Sequence, residues 1–241
     1  MFKTLLLASV ACASLNACYA TLVPFIRKCD LKDNACVLAA NLQIAYPYLA
    51  DGIPEYGVSA LEPLQLENIS MNHDYFKLTL PTASVFGAKK CRVEQFRVND
   101  EESSLTLVLD CPVLVEGKYK FVGKVCIFNV DKEGDFKVQS DSTKTTIKSK
   151  FELVEKDGKK YFKLLDYDYS VEPTRSMHIQ LGDLFSGDFG KAIPYLNAID
   201  KNLAEQVLPV GKPLYSTLVK SVYGALQQFF LNVSLDELQY V

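Results

Sequence analysis

Residues Leu203–Val233 read "LAEQVLPVGKPLYSTLVKSVYGALQQFFLNV", and the spacing of their apolar side chains decides the fold. With Leu196 and Ile199 upstream, the positions Leu203, Val207, Val210, Leu214, Leu218, Val222, Leu226, Phe229 and Val233 follow one another at gaps of three or four. The mean gap, about 3.7, is that of an α-helix carrying one apolar stripe. Unbroken, the stripe runs about 55 Å at ~1.5 Å per residue. Pro209 and Pro213 predict a full break or a kink in its middle. Such a helix must be covered by something.

The cover is a sheet. From residue 75 to 181 the period changes to two: Phe76, Leu78 and Leu80 alternate with polar neighbours, as do Leu105, Leu107 and Leu109. Tyr119, Phe121, Val125 and Ile127 share one face across Gly123, with Lys118, Lys120 and Lys124 on the other. Ile147, Phe151 and Leu153 oppose Lys148, Lys150 and Glu152, and Leu165, Tyr167, Tyr169 and Val171 oppose Asp166 and Asp168. The charged stretches "NDEESS", "VEGK", "DKEGD" and "EKDGKK" read as turns. The pattern predicts an antiparallel meander, apolar on one face and wet on the other. Curled around the long helix, it forms an α+β fold in which each element hides the other's apolar face. Burial of a Leu or Phe contributes ~1.5–3 kcal/mol, so the same residues serve equally well as plain core. The pattern permits an internal space without requiring one.

Ahead of the sheet, "DNACVLAANLQIAYPYLADGIP" reads as a helix with Leu38, Leu42, Ala45 and Leu49 on one face, bent or shortened by Pro47. "GIPEYGVSALEPLQLENI" reads as extended and turn-rich, because Pro54 and Pro63 argue against regular structure.

The first twenty residues carry Lys3, an apolar run from Leu5 to Leu15, and small residues ending at Ala20. This is the pattern of a secretory signal peptide cut after Ala20, with Ala17 the second choice; the run is too short to span ~30 Å of hydrocarbon. "LNAC" at Leu15–Cys18 has the look of a lipoprotein site, though its Asn fits poorly. Residues 21–241 then form a single elongated domain. Removing Lys3 from the 26 basic residues leaves 25 against 29 acidic ones, a net charge of −4 in place of −3. No basic run exceeds a pair or so, which argues against a nucleic-acid partner. Charges or prolines interrupt every later apolar stretch before the ~18 residues of a membrane span. The mature protein is expected to be secreted, extracellular and soluble, a monomer with no stable membrane insertion.

Cys29, Cys36, Cys91, Cys111 and Cys126 follow the cleavage site. Export to an oxidising compartment makes disulfides the first reading. Cys29 and Cys36 enclose a short loop and are expected to pair. If "NDEESS" is a hairpin tip centred near Glu101, antiparallel counting sets Cys91 opposite Cys111, a possible second pair, and leaves Cys126 odd. With no Cys-x-x-Cys and two histidines, His73 and His178, a metal site is not expected. Asn68-Ile-Ser and Asn232-Val-Ser fit the glycosylation pattern, Asn232 in the more apolar surroundings.

Catalytic machinery is missing from the pattern. The chain contains no Gly-x-Ser-x-Gly elbow, phosphate-cradling loop, dinucleotide fingerprint or His-Glu-x-x-His. Asp166 and Asp168, two apart on a strand, fall on its solvated face. No cofactor is implied and no enzyme is expected.

Several landmarks stand in a specific order: Cys29 with Cys36, "GIPEYGVSALEPLQLENI", Pro112 followed by Gly117, Tyr119 and Gly123 in "CPVLVEGKYKFVG", "GDLFSGD", and the ending "FFLNVSLDELQYV". In these the chain resembles the insect takeout and haemolymph juvenile-hormone-binding family along nearly its whole mature length. The resemblance implies a strongly curved antiparallel β-sheet wrapped around a long C-terminal α-helix, enclosing an elongated apolar tunnel. It also implies carriage of a small lipophilic ligand: a terpenoid hormone, a fatty acid or a quinone-like lipid. Two departures matter. No cysteine follows Cys126, whereas the moth hormone carriers typically have a second disulfide toward the C-terminal region, which favours a takeout-like carrier. Asp183 and Ser186 stand where the family usually has Asn.

By face parity, the ligand-binding lining is expected from Leu38, Leu42 and Tyr46 on the first helix, from Phe76, Leu107, Tyr119, Phe121, Tyr167 and Tyr169 on the sheet, and from Leu203, Val207, Leu214, Leu218, Val222 and Leu226 on the long helix. Tyr119, Tyr167 and Tyr169 each offer a flat face and one hydroxyl for a ligand's ester, epoxide or carbonyl. The competing expectation is a surface protein of the same architecture that binds lipid particles or envelopes without a dedicated soluble ligand.

Overall fold

The computed structural model describes residues 26–30, 33, 36, 41–125, 128–173, 177–182, 184 and 203–238; at 125, 128, 173 and 203–209 it describes backbone alone. Leu38, Cys126, Ile127, Asp183, Ser186, Leu196, Ile199 and the signal segment lie outside the described residues.

Among the described residues helix α1 (Gln43–Asp51) is followed by β1 (Leu64–His73), β2 (Phe76–Phe86), β3 (Arg92–Asn99), β4 (Ser104–Val125), β5 (Phe128–Lys156), β6 (Lys159–Pro173) and β7 (Met177–Leu181). Helix α2 (Leu203–Asn232) and the short α3 (Leu235–Leu238) come after them. The seven strands of the described residues form one antiparallel sheet in the order β1-β2-β4-β5-β6, with β3 also on β4 and β7 also on β5.

Two very long strands, β4 of 22 residues and β5 of 29, form the spine. In β4 the odd positions from Leu105 to Gly123 stay apolar or Gly, one unbroken period of two. "VEGK" and "DKEGD" are therefore not turns. Val115–Lys118 lies inside β4, opposite Asp135–Val138, and Asp131–Asp135 lies inside β5, opposite Lys118–Val122. "NDEESS" and "EKDGKK" do turn, between β3 and β4 and between β5 and β6. The segment from Leu64 to Ile69, expected to be irregular, is the start of β1.

Four bulges bend the ladders, and each switches which residues of its strand face inward. On β6, Leu165 and Asp166 together oppose Lys150, so the inward set passes from Phe162 and Leu164 to Tyr167, Tyr169 and Val171. Leu165 consequently faces out, 39% exposed, against its expected inward place. Leu153 keeps the parity of Phe151 but sits near the β5–β6 turn, 51% exposed.

Both outermost strands, β1 and β6, touch α2, so the sheet curves around the helix and stays open between those edges. Helix α2 runs without interruption through Pro209 and Pro213, about 45 Å at ~1.5 Å per residue. Its halves meet two apolar clusters. Val210, Leu214 and Leu218 pack on the one built around Leu80, Val115, Tyr119, Phe121 and Phe136. Tyr223, Leu226, Phe229 and Phe230 belong to the other, with α1, Phe96, Leu105, Leu107, Ile147 and Phe162.

Disulfides join Cys29 to Cys36 and Cys91 to Cys111, with Cα–Cα distances of 5.8 and 4.1 Å. The second follows from register. Arg92 opposes Asp110, and one step further out brings Cys91 to Cys111.

Candidate functional site

Helix α1 is held over one end of the sheet by side chains that act like strand edges. The Gln43 amide donates to the Cys91 carbonyl at 3.2 Å and accepts from the Val93 N–H at 2.9 Å. Two residues earlier, Asn41 accepts from the Arg27 N–H at 2.7 Å and donates to the Arg27 carbonyl at 2.6 Å, which fixes the incoming segment beside the helix. The Cys29 N–H donates to the Leu238 carbonyl at 3.0 Å, joining that segment to α3. Ser234 and Glu237 form the capping pair that starts α3, with the Ser234 N–H and hydroxyl both donating to Glu237 Oε2.

Beneath α1 these elements leave an almost wholly apolar cavity of about 70 Å³. A water needs only ~10–15 Å³ on the same measure. The walls come from α1 and the segment that precedes it (Leu42, Ala45, Tyr46, Leu49, Ile26), the sheet (Val93, Phe96, Val98, Leu107, Phe162), and the helical C-terminus (Leu226, Phe229, Phe230, Leu238), completed by Cys29, Asn41 and Ile53. As it stands, the space takes a few carbon atoms. A longer guest requires α1 and the surrounding side chains to shift. A second hollow, beside the β1–β2 turn, is larger at about 560 Å³, yet it opens to solvent and is edged by Asp74, Lys124, Asn129 and Asp131. It offers little dehydrated surface, so the smaller, dry cavity is the better site for a lipophile.

Of the expected lining, Leu42, Tyr46, Leu107 and Leu226 border this cavity. Phe76, Tyr119, Phe121, Leu214 and Leu218 belong to the other cluster, toward the far end of α2. Tyr167, Tyr169 and Val222 pack against the first cluster but not on the cavity wall. Leu38 lies outside the described residues, as do the side chains of Leu203 and Val207. Ile26, Ile53, Val93, Phe96, Val98, Phe162, Phe230 and Leu238 border the cavity without having been singled out in the sequence, and Phe229 of the apolar stripe joins them. The alternation of Val93, Phe96 and Val98 is broken by the bulge at Glu94, which conceals it from a strict period of two.

The tyrosines divide sharply. The Tyr119 hydroxyl donates to the Gly182 carbonyl at 2.5 Å. Tyr223, one turn before Leu226, stacks on Tyr167 at 4.1 Å between centroids, donates to the Leu165 carbonyl at 2.6 Å, and lies 2.7 Å from the Ser149 hydroxyl. Buried Ser149 in turn meets the Asp166 carbonyl, so this network covers the backbone groups freed by the β6 bulge. Along α2 it stands between the cavity and the other apolar cluster. Tyr46 differs from these: it is 3% exposed, and its hydroxyl has no hydrogen-bond partner among the described residues. Burial pushes its ionisation well above the ordinary range for a phenol, so it remains a neutral donor.

Nothing in the described residues groups three or more His, Cys, Asp or Glu as a metal site, and no described helix is long and apolar enough to cross a membrane. Asp166 and Asp168 are exposed. Asn68 is exposed on β1, while the amide of Asn232 donates to the Tyr56 and Gln228 carbonyls.

A curved open sheet around a long helix, with an apolar cavity under a helical cover, is an architecture suited to enclosing a lipophile. The profile of the family described as haemolymph juvenile hormone binding protein matches residues 5–239, and the chain belongs to that family. It is 27% identical over 225 residues to the circadian clock-controlled protein daywake of Drosophila melanogaster, covering 88% of this chain and 86% of that one. Its Drosophila yakuba counterpart is 26% identical with the same coverage. Takeout 1 of Epiphyas postvittana shares the fold at a TM-score of 0.81 and 20% identity, over 90% of this chain and 100% of that one. The family is one of carriers of lipophilic ligands rather than enzymes, and two disulfides fit its haemolymph setting.

Proposed function

We propose that this protein is a secreted, monomeric, non-catalytic carrier that takes a small elongated lipophile, such as a juvenile-hormone-like terpenoid or a quinone-like lipid, into the cavity under α1. The observation that carries the reading is the dry cavity itself, walled by three separate elements where a filled core would have left nothing. A ligand burying ~15 methylene-like carbons gains roughly 12 kcal/mol gross at ~0.8 each, and association costs several kcal/mol. The remainder corresponds to roughly micromolar binding, strong enough to carry and weak enough to release. The other expected lining residues, from Phe76 to Leu218, serve a guest long enough to pass the Tyr223 network.

Expression of the full chain in insect cells tests this directly. The expected product is protein in the medium beginning at Thr21, glycosylated at Asn68, with near one extractable lipid per chain by native mass spectrometry. Protein that is empty and sediments with vesicles would favour the surface-binding alternative, and turnover of an added ester or epoxide would mark an enzyme.

A further inference from the structure

We propose that the Tyr46 hydroxyl is the polar anchor of the cavity, so that the ligand this chain selects is a neutral lipophile with a hydrogen-bond acceptor, an ester, ketone or ether oxygen, near one end. This deepens the carrier reading and rests on it. Tyr46 borders the cavity, is almost fully buried, and has a hydroxyl without a partner among the described residues. Buried hydroxyls are almost always satisfied, and one left over in a native site needs an explanation. Water explains it poorly, because a buried water requires two to four polar partners. The other polar side chain on the wall, Asn41, already spends its amide on Arg27 and on Cys29 Sγ. A ligand oxygen satisfies the phenol with one bond while its carbon chain covers the apolar wall.

The same wall disfavours an ionised head group. Among the described residues, no Lys, Arg or His borders the cavity. A carboxylate entering it would be desolvated without a counter-charge, at far greater cost than a neutral oxygen. The site should therefore rank an ester above both the free acid and the bare hydrocarbon. The other tyrosines do not compete for this role. Tyr119 and Tyr223 already donate to backbone carbonyls.

Displacement of the dye N-phenylnaphthylamine by methyl laurate, laurate and pentadecane, on the full mature chain, tests the assignment. Wild type should bind methyl laurate about tenfold more tightly than pentadecane, the worth of one net hydrogen bond, and laurate more weakly than methyl laurate. Tyr46→Phe, which changes no volume in the wall beyond the oxygen, should abolish the preference for methyl laurate over pentadecane with no loss of melting temperature. The ester carbonyl stretch of bound methyl laurate should fall in frequency in wild type and not in the variant. Dye uptake with no ester preference in wild type, or a preference that survives Tyr46→Phe, overturns the anchor and leaves the carrier intact. Failure to take up the dye or any of the three compounds overturns the carrier, and the anchor with it.

Discussion

Gly117 has no room for a side chain. A Cβ built there stands 2.2 Å from the Thr82 carbonyl oxygen and 2.8 Å from the Ala83 Cα, both backbone atoms of β2 that cannot move without breaking the ladder. Gly117→Ala is expected to lower stability by about 1–3 kcal/mol, read as a fall in the urea midpoint; an unchanged midpoint would mean that β2 does not lie against β4 at this register. Gly134 is hemmed in similarly, by the Gly182 carbonyl at 2.7 Å and the Tyr119 ring at 3.2 Å. These two glycines account for the misread turns. Glycine among charges looks like a turn, but here the charges are the wet face of a strand and the glycine lets backbone or a ring come close. Single-sequence reading has no signal to separate the two cases. The phenols give a second expectation at this scale. Burial raises the ionisation of Tyr46, Tyr56, Tyr215 and Tyr223 above the ordinary value near 10. Above that pH the folded chain holds more protons than the unfolded one, so stability, fully present below pH ~10, should fall as pH rises further. Melting temperatures measured from pH 8 to 11 check the sign.

Among the elements, the β3–β4 hairpin shows what pattern alone can place. The tip at "NDEESS" and the count from it put Cys91 and Cys111 together, and the structure joins them across 20 residues of chain. A loop of that size constrains the unfolded state by about 3 kcal/mol, and the 7-residue loop of Cys29–Cys36 by about 2. Replacing Cys91 and Cys111 together by Ser should therefore cost more in thermal stability than replacing Cys29 and Cys36. The second pair should have the larger effect on dye binding, since Cys29 is part of the cavity wall. Calorimetry and dye titration on the two double variants separate the effects, and the reverse order in either would count against this assignment. The long helix was equally legible from its stripe. Its continuity was not, because a proline's cost depends on what surrounds it. Both prolines lie in a half of α2 whose later residues, Val210 to Leu218, pack against the sheet cluster, and this packing offsets the lost backbone bonds. Bulges were the least readable feature. A strict period of two puts Leu165 inward and hides Val93, Phe96 and Val98, because a single extra residue swaps the faces.

At the scale of the molecule, the two apolar clusters along α2 raise the question of which end does the binding. The resemblance implies one tunnel for the whole length, whereas the interior contains a hollow at the α1 end and, beyond it, the Tyr223–Ser149–Tyr167 network. If the guest is held chiefly at the α1 end, filling space there must exclude it and filling space at the other must not. Ala45 is the natural site for the first change: it is buried on α1, borders the cavity, and tolerates a helix-forming Leu. Ala45→Leu fills part of the hollow with its own carbons, so it should keep or raise the melting temperature of the empty protein while weakening dye uptake about tenfold or more. It should also remove most of the stabilisation that a saturating ligand confers, about 2.7 kcal/mol at a hundredfold excess over Kd. Leu214→Phe, half-buried against the other cluster, is the partner experiment and is expected to leave dye uptake within a factor of about two. Equal losses from both substitutions would mean that the guest spans the molecule and that Tyr223 yields to it, whereas a loss confined to Leu214→Phe would place the binding at the far end of the helix.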